Sequence, residues 1–123
     1  MKHVAHTVLI VEDDDDVRSA FTAYLEGAGY TVVEAADGED ALRRLRDAAD
    51  EFCLIVLDLF MPRMNGWQFR AAQLRDPAVA HIPVVVVSAA SNTSRKAAEL
   101  GAIAHLEKPV DMKGLVSLVD TYC

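Results

Sequence analysis

Five polar residues stand at the ends of apolar runs in this chain: Glu12 and Asp13 in VLIVEDDDD, Asp58 in LIVLDLFMP, Ser88 in VVVVSAA and Lys108 in HLEKP. Three carboxylates brought together repel unless protons, a lysine or a metal compensate them. An all-oxygen donor set with incomplete protein coordination suits Mg²⁺, with Mn²⁺ as an alternative, because such an ion keeps several waters and shares its shell with a phosphoryl oxygen. A hydroxyl and an ammonium on the same rim would complement that phosphoryl group. Other phosphate devices are missing: no G-x-G-x-x-G and no G-x-x-x-x-G-K-[ST] follows the first apolar run, five consecutive acids would repel a bare anion, and no Ser/Thr/Gly cradle is offered to a flavin.

The apolar runs predict the elements that position these groups. Val8–Val11, Cys53–Leu57 and Val84–Val87 are short and continuous, as strands buried on both faces should be, and Tyr30–Ala35 and Ala102–Leu106 are weaker strand candidates. Helical periods lie between them. Val17, Ala20, Phe21, Tyr24, Leu25 and Ala28 form one, ended by Gly27 and Gly29, and Ala41, Leu42, Leu45 and Ala48 form a second. A third helix is expected from Asn65 to Arg75, a fourth over Ser91–Leu100 and a fifth after Pro109.

Strand and helix thus alternate five times, which implies right-handed crossovers and an α/β fold: a doubly wound, five-stranded parallel sheet with helices on both faces. In the flavodoxin-like (βα)5 order 2-1-3-4-5, ligands sit beyond the carboxyl ends of strands one and three, so Asp58 is expected to face Glu12 and Asp13. Simpler roles compete for the same residues. Asp14, Asp15 and Asp16 read equally well as a helix cap and first turn, Ser88 as a turn residue, Lys108 as a solvated cation, and Pro62 and Gly66 as loop punctuation. Lys108 precedes Pro109, an X-Pro bond that tolerates the cis form.

The 123 residues, 52% of them hydrophobic, fit a single domain over 1–123 with no output domain. Nineteen acids against twelve Lys and Arg give a net charge of −7, which argues against nucleic acid and anionic membranes as direct partners. No apolar stretch approaches the roughly 18 residues of a membrane span. Cys53 and Cys123 read as a buried small hydrophobe and a separate thiol rather than a disulfide framework, so a reducing, cytoplasmic setting is expected. His3 and His6 have no further soft ligands near them in sequence, His81 reads as loop surface, and Trp67 as a core or edge aromatic.

E-D after strand one, D-L-x-M-P-x-M-x-G after strand three, S-A after strand four and K-P after strand five occur in that order. Together they resemble the receiver domain of two-component response regulators, from Val8 to about Val119. The resemblance implies a phosphorylation-dependent signalling switch that takes a phosphoryl group from a phosphohistidine onto Asp58. Glu12 and Asp13 would hold Mg²⁺ together with Asp58 and the backbone carbonyl of Phe60, while Ser88 and Lys108 would bind phosphoryl oxygens. Ser88 and His105 fall at the family's switch positions, His105 standing where an aromatic is common. Phe60 and Ala90, two residues beyond Asp58 and Ser88, stand where many relatives carry polar groups that position hydrolytic water, so both are expected to modulate the lifetime of the phosphorylated state. The implied partners are a sensor histidine kinase or histidine phosphotransfer protein and a downstream target or homodimer, engaged through helix four, strand five and helix five. Such a module is no enzyme beyond its own phosphorylation and dephosphorylation. Two rivals are an acid-nucleophile phosphatase, which wants a second acid where Phe60 stands, and an unphosphorylated scaffold, against which the intact five-residue set argues.

Overall fold

The computed structural model describes residues 6–89 and 93–123, and Ala90, like His3, lies outside them. The elements follow in the order β1 (Thr7–Val11), α1 (Asp15–Gly27), β2 (Thr31–Ala35), α2 (Gly38–Asp47), a 3-10 turn (Ala49–Glu51), β3 (Phe52–Asp58), α3 (Gly66–Leu74), β4 (Val84–Ser88), α4 (Thr93–Leu100), β5 (Ala104–Glu107) and α5 (Met112–Tyr122). All strands are parallel, in the order β2-β1-β3-β4-β5. This is the doubly wound (βα)5 sheet expected.

Side chains of the central strands alternate between two cores, as period-two geometry requires. Leu9, Val11, Ile55, Leu57, Val84 and Val86 pack with residues of α2, α3 and α4, while Val8, Ile10, Leu54, Val56, Val85 and Val87 pack with Phe21 and Leu25 of α1 and Leu115 and Val119 of α5. β1, β3 and β4 are buried along their whole lengths, and β5 alternates between half-buried and exposed residues as an edge strand does. No helix among the described residues is long and apolar enough to cross a membrane.

Local chemistry explains the helix ends. Asp14 caps α1 by accepting the Asp16 and Val17 N–H groups at 2.9 and 3.0 Å, so the third acid of the run is a cap. Asn65 and Gln68 form a capping box at the start of α3. Gly101, at φ 68°, ends α4, and the Gly101 and Ala102 N–H groups bond back to Ala98 and Ala97. That cap uses Ala102, which is why β5 begins at Ala104 rather than at the expected Ala102.

Arg70 is buried on α3 and has no carboxylate partner among the described residues. Its guanidinium donates to the Leu100 carbonyl at 3.0 Å, the Gly101 carbonyl at 3.3 Å and Gln73 Oε1 at 2.7 Å, placing a cation on the carboxyl end of α4.

The cysteines depart from the sequence expectation. Cys53 and Cys123 form a disulfide with 5.4 Å between their Cα atoms. Thr7 of β1 pairs with Phe52 and Val8 with Leu54, so Cys53 is an extra residue in β3, and this bulge turns it toward the α1 and α5 side of the sheet.

Candidate functional site

The carboxyl edge of the sheet gathers four of the five residues singled out from sequence around one point, and Ser88 ends β4 beside them. Glu12 follows β1, where its N–H bonds the Ala35 carbonyl at 3.1 Å, and its own carbonyl accepts from Arg18 Nη1 at 2.8 Å. Its carboxylate is buried, with Oε2 accepting the Asp14 N–H at 3.2 Å. Asp58, the last residue of β3, is 4% exposed. Carboxylate oxygens of Glu12, Asp13 and Asp58 all lie within 4.8 Å of one another, Asp13 being the exposed member.

Lys108 crosses from the end of β5 to this cluster, with Nζ 2.6 Å from Glu12 Oε1 and 3.5 Å from Asp58 Oδ2. Its backbone N–H bonds the Ser88 carbonyl at 3.0 Å, and the peptide to Pro109 is cis. Ser88 is fully buried. His105 is exposed on β5 opposite Val86, three residues from Lys108 and outside the carboxylate cluster.

Burial, and then the charge of Glu12, push the Asp58 carboxyl up to about 7, while Lys108 and the Phe60 N–H, 3.3 Å from Asp58 Oδ1, pull the other way. The acids hold the Lys108 ammonium above its usual range despite its burial. Three carboxylates against one lysine leave an excess of negative charge, and the all-oxygen donor set fits a hard divalent cation.

The loop after β3 shapes the rim. Phe60 is 50% exposed, meets the Trp67 ring edge-on at 5.4 Å, and lies under Lys96 Nζ of α4 at 5.0 Å. Gly66 opens α3 against the backbone that carries Asp58; a Cβ there would meet Leu59 Cα at 2.8 Å and the Asp58 carbonyl at 2.9 Å. Sequence reasoning missed the grip of Arg18 on the Glu12 carbonyl and the Lys96–Phe60 contact. Arg18 carries a readable signal, lying one helical turn beyond the cap residue Asp14 and bonded back to it through its backbone N–H at 2.9 Å.

The response regulator receiver domain model matches residues 8–120 of the 123. The chain belongs to this family. The receiver is 32% identical over 111 residues to chemotaxis protein CheV3 of Helicobacter pylori, covering 82% of this chain and 36% of that protein. It is 33% identical over 115 residues to response regulator RR06 of Streptococcus pneumoniae, covering 91% of this chain and 50% of the relative. The receiver thus spans half or less of these curated relatives. Among solved structures, chemotaxis protein CheY4 of Vibrio cholerae matches with a TM-score of 0.86 at 28% identity, covering 98% of this chain and 100% of that one. A response regulator receiver protein of Pseudomonas putida also matches at 0.86, with 27% identity and coverage of 98% and 99%. Membership implies phosphorylation-dependent signalling.

Proposed function

We propose that residues 1–123 act as a single receiver module that accepts a phosphoryl group on Asp58 from the phosphohistidine of a sensor histidine kinase or histidine phosphotransfer protein. The observation that carries this reading is a buried carboxyl at the end of the central strand, faced by two further acids and by one lysine that reaches both Glu12 and Asp58. The Asp58 carboxylate attacks phosphorus as the N–P bond breaks, and the bond's electron pair stays on the donor's imidazole, which leaves neutral because its other ring nitrogen already carries a proton. Phosphoryl transfer depends mainly on in-line positioning and charge neutralisation, and Lys108 supplies a cation beside the attacking oxygen.

Mg²⁺, or Mn²⁺ in its place, held by Glu12, Asp13, Asp58 and the Phe60 carbonyl, would neutralise the acids and the equatorial phosphoryl oxygens. Attack requires ionised Asp58, and its pKa, raised to about 7, means that further neighbouring positive charge would enlarge the reactive fraction near neutral pH. Ser88, buried on the adjacent strand end, binds a phosphoryl oxygen through its hydroxyl and shifts packing toward His105, altering the face formed by α4, β5 and α5 for a downstream protein or a second copy of the domain. The module is a cytoplasmic switch that catalyses only its own phosphorylation and dephosphorylation.

The test is incubation with Mg²⁺ and acetyl phosphate, read by intact mass. One labile phosphoryl group is expected on the wild type and none on Asp58→Asn; equal labelling of the two sinks the assignment, and an unlabelled wild type favours the scaffold. Calorimetric titration with Mg²⁺ should show weaker binding to Asp13→Ala, and unchanged affinity removes Asp13 from the ligand set.

A further inference from the structure

Two cysteines that the phosphoacceptor chemistry does not use meet far from Asp58, at the opposite end of β3. The bulge in β3 is what brings Cys53 there: regular alternation would place it with Ile55 and Leu57 under α2 and α3, yet it packs with Leu54 and Val56 on the α5 side. The 5.4 Å between the Cys53 and Cys123 Cα atoms falls within the range of about 4.4–6.8 Å that a disulfide bridges. The Thr7 carbonyl lies 3.5 Å from Cys53 Sγ, an acceptor for the S–H group of the reduced form. The fold therefore accommodates both redox states.

We propose that Cys53 and Cys123 form a thiol–disulfide exchange site, oxidised by low-molecular-weight disulfides of the glutathione class, which clamps the end of α5 to the central strand. Cys53 is 8% exposed and Cys123 is half-buried, so exchange begins at Cys123. Its thiolate attacks the small disulfide, forming a mixed disulfide and releasing one small thiolate. The Cys53 thiolate then attacks the Cys123 sulfur and expels the second. The protein gives up two protons and two electrons, and the small disulfide becomes two thiols. On reduction a small thiolate attacks the more accessible Cys123 sulfur and the Cys53 thiolate is the leaving group.

The clamp acts on the part of α5 beyond Leu115. The Cys123 N–H bonds the Val119 carbonyl at 2.8 Å, so fixing Cys123 to β3 holds the last turn of the helix. The experiment takes the full chain, reduced and then incubated with oxidised glutathione, quenched in acid, unfolded, alkylated and weighed. Wild type should pass from two alkylatable thiols to none, without a retained glutathione adduct, while Cys53→Ala should trap one adduct on Cys123 and Cys123→Ser should keep Cys53 unmodified. Two thiols persisting in the wild type, or two glutathione adducts, would overturn the exchange site. Amide exchange over residues 116–123 should slow by at least about tenfold on oxidation of the wild type and stay unchanged in Cys123→Ser. Equal rates in oxidised and reduced wild type would overturn the clamp.

Discussion

Lys108 Nζ lies 2.6 Å from Glu12 Oε1, so the end of an edge strand supplies the counter-charge for an acid at the end of β1, three strands inward. The same ammonium reaches Asp58 at 3.5 Å. Replacing it by methionine keeps most of the stem and leaves two buried acids without their cation. Lys108→Met should lose about 2 kcal/mol of stability near pH 8 in chelator, and less near pH 5, where Asp58 is protonated. Urea unfolding at both pH values is the check, and equal stability of variant and wild type near pH 8 would show that the ion pair is energetically idle.

Asp58 itself should be a liability to the fold without metal. Its pKa rises from an unfolded value near 4 to about 7, so between those values the folded state holds the proton more tightly than the unfolded chain. Stability contributed by the neutral carboxyl is complete below about pH 4 and is lost as pH rises through about 7. Asp58→Asn, neutral throughout, should therefore melt above the wild type near pH 8 in chelator, the difference vanishing toward pH 4. A flat difference between the two melting curves across this range would contradict the raised pKa.

Gly66 and Gly27 make a paired test of close approach. Any Cβ at position 66 presses on the backbone of Asp58 and Leu59, whereas one at position 27 meets nothing within 4 Å. Gly66→Ala should cost about 1–3 kcal/mol and slow acetyl-phosphate labelling by moving Asp58, while Gly27→Ala should be neutral or slightly stabilising. Comparable urea midpoints for the two variants would mean that the α3 junction yields without cost.

If Asp58 accepts the phosphoryl group as proposed, the phosphorylated state should be long-lived, because the side chain two residues beyond Asp58 is an aromatic that cannot hold a water and is itself packed between Trp67 and Lys96. Phe60→Asn should speed single-turnover decay several-fold, corresponding to about 1 kcal/mol of barrier. Decay of the wild type as fast as the variant would remove Phe60 from control of lifetime.

The central strands were legible because β1, β3 and β4 are covered on both faces, so their sequences are unbroken apolar runs that no helical period imitates. Topology then placed Glu12, Asp13 and Asp58 together without any knowledge of their side-chain geometry. β5 was read two residues early, because Ala102 is as apolar as a strand residue but is spent on the α4 cap. The disulfide was illegible: seventy positions separate the two cysteines, and only the bulge, invisible in a run of apolar residues, turns Cys53 to the correct face. Arg70 and Lys96 look like ordinary solvated helix cations, and their partners are a carbonyl pair and an aromatic ring on other elements.

The hold of Arg70 on Leu100 and Gly101 gives α4 a fulcrum. Two hydrogen bonds from a charged donor fix the far end of this eight-residue helix to α3, while its near end follows the β4 edge that carries Ser88. A rigid rod pinned at one end swings most at the other. A tilt of α4 about this anchor would therefore displace its amino end more than Gly101, and the pivot is set by a residue of α3 that bonds neither the acids nor the lysine.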